Sequence, residues 1–142
     1  MKKNILLIIT IVLVIIVTII YNFSNYRKNQ LEVQNNNKSY QSFYNVQVLG
    51  TDLATLINKV ENSNIKNNVE KDEKGYYIDN GTNSIKIDIK FLEMDKVISA
   101  EAIQKNGIEQ FVHNFAAMNF KCTKIEYHQN TKNVKYMYFE QV

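Results

Sequence analysis

Hydrophobic and polar positions divide this chain sharply at about residue 21. Between Ile5 and Ile20, fourteen of sixteen positions are Ile, Leu or Val: Ile5, Leu6, Leu7, Ile8, Ile9, Ile11, Val12, Leu13, Val14, Ile15, Ile16, Val17, Ile19 and Ile20. The two exceptions, Thr10 and Thr18, can return their hydroxyl hydrogen bonds to carbonyls of their own helix, so neither is stranded in lipid. At roughly −0.4 kcal/mol per aliphatic residue, insertion of this run gains on the order of −6 kcal/mol. Counted to Phe23 it makes about 28 Å of helix, close to the ~30 Å hydrocarbon core of a bilayer. Tyr21, Phe23 and Tyr26 then stand where an aromatic interfacial belt belongs. The expectation is a membrane anchor over residues 5–21, preceded by a cytoplasmic tail at 1–4.

A cleaved signal peptide is the competing reading. It requires a shorter apolar stretch and an A-x-A-like site of small residues, whereas Tyr21-Asn22-Phe23-Ser24-Asn25 offers one small side chain. A lipoprotein needs a cysteine just after the apolar run, and the only cysteine is Cys122. The Gly-Phe site and internal acid of a pilin leader are also missing. Lys2 and Lys3 favour a cytoplasmic N-terminus, but Arg27 and Lys28 flank the far end, so the positive-inside count is nearly balanced. A short leading tail before a long C-terminal domain favours an extracytoplasmic domain.

Residues 22–43 are polar and rich in Asn and Gln, with Asn35-Asn36-Asn37 in the middle. They read as a spacer. A helix continuing out of the membrane is the alternative, because Tyr40, Phe43 and Tyr44 stand at i, i+3, i+4, although Asn is a poor helix former. The remainder, 44–142, can bury one modest core without disulfides or metals.

Within that domain the periodicity changes from segment to segment. After a strand-like Val46-Gln47-Val48 ended by Gly50, Leu53, Leu56, Ile57 and Val60 mark one face of a helix about ten residues long. Thr51 or Asp52 can cap it, and Asn62-Ser63-Asn64 stops it. Asp72-Glu73-Lys74-Gly75 closes a turn onto a short strand near Val69. Tyr76–Asp79 and Ser84–Leu92 flank Asn80-Gly81, the strongest short hairpin signal. A two-residue turn there places Tyr76 and Ile78 on the face of Ile85, Ile87, Ile89 and Phe91, and Lys86, Asp88 and Lys90 on the other.

After a polar break at Glu93–Lys96 the reading stays open over Val97–Gln104, since Val97-Ile98 suits a strand and Ser99 can cap a short helix. Beyond Gly107, Ile108, Phe111, Val112 and Phe115 form a helical stripe. Phe120–His128 and Val134–Glu140 form a last hairpin around Gln129–Asn133. The expected class is α+β: a four- or five-stranded antiparallel sheet with two helices packed on one face.

Candidate chemistry adds little. The formal charge of +3 falls to +1 beyond the anchor, 15 basic residues against 14 acidic from Asn22 onward. With no basic stripe, a nucleic-acid partner is not expected. Cys122 needs a partner that lowers its pKa. His128 lies about 20 Å along the same strand, which leaves only His113 to approach from elsewhere. A metal site drawn from His113, His128, Glu126 and Cys122 lacks ligand spacing. Asp72-Glu73 and Glu93–Asp95 fall in turns, where acids are solvated. No phosphate loop or nucleophile elbow is present. No cofactor and no catalytic residue is therefore expected. The last strand, with Tyr136, Met137, Tyr138 and Phe139, is apolar on both faces. It reads as a central strand, or as an exposed aromatic patch for a partner protein or glycan in which Tyr136, Tyr138 and Phe139 are the candidate surface.

One resemblance emerges from the run Gly50-Thr51-Asp52-Leu53-Ala54-Thr55-Leu56-Ile57-Asn58-Lys59, with Asn80-Gly81 and Phe120-Lys121-Cys122-Thr123-Lys124-Ile125-Glu126-Tyr127-His128. The chain resembles small single-pass membrane proteins of unknown function from low-GC Gram-positive bacteria, with a weaker likeness to pilin-like and envelope-apparatus components. The likeness spans about Tyr44 to Val142 and implies a cell-envelope setting and an envelope protein partner, but no site residues. The reading that follows is a non-enzymatic interaction or structural module, single-pass in the plasma membrane with its C-terminal domain outside. Its alternatives are a pilin-like or secretion-apparatus accessory subunit and an envelope enzyme using Cys122.

Overall fold

In a computed structural model of the chain, residues 2–93 and 96–142 are described. Met1 of the expected tail, and Met94 and Asp95 of the expected polar break, lie outside the described residues. The chain divides into two compact units, one ending at Asn35 and the other spanning Asn36–Val142.

The first unit is one helix. Helix α1 runs unbroken over Lys2–Gln41, so the Asn-rich stretch continues the apolar helix. Propagation adds one hydrogen bond per residue once the costly first turn exists, which lets an apolar helix carry weak formers behind it. Thr10 and Thr18 donate to the carbonyls of Leu6 and Val14 at 2.9 and 2.8 Å. Among the described residues, α1 is the one helix long and apolar enough to cross a membrane, with a mean hydropathy of 3.0 over its apolar window.

The last turn of α1 belongs to the second unit. Asn37 donates to the carbonyl of Lys132 at 2.7 Å and accepts from the amide of Val134 at 3.0 Å. Tyr40 is buried, and the Lys59 ammonium both donates to Ser39 at 2.7 Å and lies over the Tyr40 ring. The chain then forms β1 (Gln47–Leu49), α2 (Gly50–Lys66), β2 (Lys86–Lys90), β3 (Val97–Ser99), α3 (Ala100–Asn106), α4 (Ile108–Phe115), β4 (Asn119–Tyr127) and β5 (Val134–Gln141).

The domain is α+β, with a five-stranded sheet ordered β1-β4-β5-β2-β3. It is mixed, which corrects the antiparallel expectation: β2 pairs β5 in parallel, Ile87 opposite Met137 and Ile89 opposite Phe139. The other three pairings are antiparallel. The expected hairpin at Asn80-Gly81 does not form. A type I′ turn needs φ > 0 at both central residues, and of the two only Gly81 has it. The Asn80 carboxamide oxygen instead accepts from the amides of Thr82, Asn83 and Ser84, a local alternative to the strand ladder. Tyr77 is buried while Tyr76 and Ile78 are exposed, the opposite of the faces that the expected hairpin assigns to them. The shorter turn survives. Asp72 accepts from the amides of Lys74 and Tyr76, and Lys71 bridges Tyr77.

Helix α2 buries Leu53, Leu56, Ile57 and Val60 as its spacing predicts, but continues two turns further, to Lys66. Asn64, expected to stop it, is fully buried inside it. Its side chain accepts from the Ile85 amide at 2.9 Å and donates to the Ile85 carbonyl at 2.8 Å, replacing the strand that Ile85 lacks. Neither Thr51 nor Asp52 caps α2, since its N-cap position is Leu49. Both open readings of Val97–Gln104 hold in succession: Val97–Ser99 is a strand, and Ser99 caps α3 by accepting from the Ala102 amide at 3.2 Å. There are thus three helices beside the sheet, α3 being the addition.

Ile87, Ile89, Phe120, Met137 and Phe139 face Leu53, Ile57, Ile103 and Phe111 in one core. Phe91, Phe111, Phe115 and Phe120 cluster there with ring centroids 4.8–6.5 Å apart. Burial on that side alone leaves the other face of the sheet open.

Candidate functional site: the open face of the sheet

Strand alternation sends Tyr136, Tyr138 and Glu140 of β5 to the open face, and its neighbours frame them in three rows. Tyr136 lies between Lys86 and Glu126, Tyr138 between Asp88 and Lys124, and Glu140 between Lys90 and Lys121. Phe139 points the other way. It is fully buried and meets Phe43 edge to face at 6.4 Å, so it is not part of an exposed patch. The strand is central, and its open side carries two half-buried tyrosines.

The groove at one end of this face has a volume of about 440 Å³ and is lined by Asp79, Ser84, Lys86, Asp88, Lys124, Glu126, Lys135 and Tyr136. The Tyr136 hydroxyl donates to Asp88 at 3.0 Å. Burial, then the Asp88 carboxylate, pushes that hydroxyl well above the usual phenol range, so Tyr136 stays a hydrogen-bond donor at any physiological pH. Lys124 pairs with Glu126 at 2.6 Å and lies over the Tyr136 ring at 5.9 Å. Asp79 pairs with Lys135 at 2.7 Å. The Lys135 ammonium, together with the Gly81 amide, holds the Asp79 carboxyl down at about 2. Three carboxylates and three ammonium groups balance, and the tyrosines add flat, amphipathic contact area of the kind protein interfaces favour.

Below the groove, His128 is buried, its Nε2–H donating to the Ser84 carbonyl at 2.8 Å with Nδ1 3.7 Å from Asp79. It braces the 79–84 loop against the 129–133 turn, where Thr131 and Asn133 both donate to the Thr82 carbonyl. Nothing in the local sequence signals these partners, which lie 44 to 51 residues apart.

The candidate chemical groups are dispersed. Cys122 is fully buried in the core, and burial pushes its thiol up to about 11, so at neutral pH it is not a thiolate nucleophile. His113 is exposed on α4, away from the buried His128. Asp72 is used in its turn and Glu93 is exposed, while Asp95 lies outside the described residues. Among the described residues no group of three or more His, Cys, Asp or Glu side chains is placed to hold a metal ion. Comparison of the chain with protein-family models, with curated proteins and with solved structures gives no match.

Proposed function

We propose that this chain is a single-pass membrane protein, anchored by residues 5–21, whose C-terminal domain lies outside a bacterial plasma membrane and acts there as a non-enzymatic interaction module of the cell envelope. Its contact surface is the open sheet face around Tyr136 and Tyr138, and its partner a protein of the same envelope. The observation that carries the reading is the unpartnered aliphatic run. All fourteen aliphatic side chains between Ile5 and Ile20 are 46–67% exposed, around the whole circumference of the helix, and a helix apolar all round is of the kind that a bilayer covers. The buried Cys122, the one thiol of the chain, supports a binding role over a catalytic one.

Sidedness is tested at the exposed turn before β5. With Asn130→Cys and a membrane-impermeant maleimide, label is expected on intact cells. Cys122 is buried and supplies no background. Labelling only after permeabilisation would place the domain inside and overturn the reading. One observation favours a second reading, an accessory subunit of a pilin-like or secretion apparatus. Helix α1 is unbroken over 40 residues, about 60 Å, and only its first half is apolar.

A further inference from the structure

Across the strands, the open face changes sign about β5. In the first row Lys86 lies on the β2 side of Tyr136 and Glu126 on its β4 side. In the second, Asp88 lies on the β2 side of Tyr138 and Lys124 on its β4 side. A two-fold axis laid along β5, midway between two such faces, sets the β2 side of one copy over the β4 side of the other. Contacts about such an axis are reciprocal, each occurring twice. Lys86 then faces Glu126 of the second copy, Asp88 faces Lys124 of the second copy, and each tyrosine meets its own counterpart on the axis. Self-complementarity about this axis requires opposite charges on the two flanks of β5, and both rows have them.

The third row carries lysine on both flanks, Lys90 and Lys121 about Glu140, and would repel its counterpart between two flat sheets. Sheets are twisted, and aligned pairs cross at about 30°. With the crossing point between Tyr136 and Tyr138, the third row lies ~10 Å away along the strands. The rotation displaces it sideways there by about 5 Å, one strand spacing. Glu140 then meets a lysine of the second copy whichever way the offset falls. In the first two rows Lys86 has no acidic partner in its own chain among the described residues. Lys124 and Glu126 pair with each other, so the facing groups join into an alternating run, Lys86 and Asp88 of one copy with Glu126 and Lys124 of the other. Such a network holds better than an isolated surface pair. Apart from its tyrosines the face is polar, unlike an obligate interface. It suits a contact made between copies that one membrane confines at high effective concentration.

Resting on the reading of this face as the contact surface, we propose that the protein it binds is a second copy of the chain, packed face to face about a two-fold axis along β5. Cysteine cross-linking of the full chain in its membranes tests this. A cysteine on the axis meets its own counterpart, so Tyr138→Cys is expected to give a disulfide-linked homodimer under copper-phenanthroline oxidation. Asn130→Cys, in the exposed turn, is expected to give at least fivefold less. In the Tyr138→Cys chain, Lys86→Glu sets acid against acid in the first row and is expected to lower the dimer yield at least fivefold. Adding Glu126→Lys to it is expected to restore the yield to within twofold, an exchange from which a different partner gains nothing. Asp88→Lys with Lys124→Asp makes the same test in the second row. A yield unchanged by Lys86→Glu, or recovered in neither double exchange, would overturn the proposal. Linkage of the Tyr138→Cys chain to a different envelope protein would overturn it too, yet leave the face as the contact surface. Linkage to nothing would overturn both.

Discussion

Gly50→Ala is expected to destabilise the domain by about 2–4 kcal/mol, against the sign that helix propensity alone assigns. Alanine in a helix is favoured over glycine by roughly 1 kcal/mol, and Gly50 opens α2 with no positive φ to protect. The obstacle is a backbone. A Cβ at position 50 would lie 1.9 Å from the Phe115 carbonyl oxygen and 2.7 Å from its carbon. Neither atom is the movable end of a side chain. The start of α2 is held there by the Gly50 amide, which donates to the Met118 carbonyl at 2.9 Å, so α2 and the end of α4 can separate only by breaking that contact and opening the Phe111–Phe115–Phe120 cluster. Overpacking a side chain into a core costs about 1–3 kcal/mol, and a backbone collision stands at or above the top of that range. Thermal unfolding followed by circular dichroism should show a midpoint lowered by about 10 °C or more. An unchanged or raised midpoint would mean the two helix ends are not this close.

Asn64→Leu is expected to cost about 3 kcal/mol, although leucine shares asparagine's branched outline and suits a helix better. The Asn64 carboxamide satisfies both the amide and the carbonyl of Ile85 from a fully buried position. Leucine leaves both backbone groups without a partner, at about 1–3 kcal/mol for each buried orphan. Asn64→Asp keeps the acceptor for the Ile85 amide but sets a carboxylate against the Ile85 carbonyl, so it is expected to be no milder at neutral pH. Urea unfolding of the variants, with unchanged slope and lowered midpoint, is the check. An Asn64→Leu variant as stable as the parent would show that Ile85 finds its partners elsewhere.

Both substitutions mark where sequence reasoning stopped. Periodicity made the apolar helix, the stripe of α2, the stripe of α4 and the β4–β5 hairpin legible, because each is a local pattern whose buried face repeats at 3.6 or 2 residues. Gly50 read as a strand end and Asn64 as a helix stop, the ordinary meanings of those residue types. Their actual partners, Phe115 and Ile85, are 65 and 21 positions away. Asn80-Gly81 misled for a related reason. The dipeptide permits a type I′ turn, but the Asn80 side chain found three backbone amides first. With that hairpin gone, β2 was free to lie parallel to β5, a pairing that no local pattern encodes.

The open face was legible in part. Alternation places Tyr136 and Tyr138 together and excludes Phe139, a separation visible in the sequence once β5 is taken as a regular strand. The groove was not. Asp79, Lys135 and Ser84 reach it from separate segments, and His128, which read as a nucleophile's partner too far from Cys122, serves as the brace beneath it.

The central claim is that residues 5–21 remain on the chain and hold it in a bilayer. Alkaline carbonate extraction of membranes, followed by mass spectrometry of the pelleted chain, tests it most directly. The account predicts a chain that stays in the pellet with peptides covering residues 5–21 still attached. A chain released into the supernatant, or one lacking those residues, would contradict it.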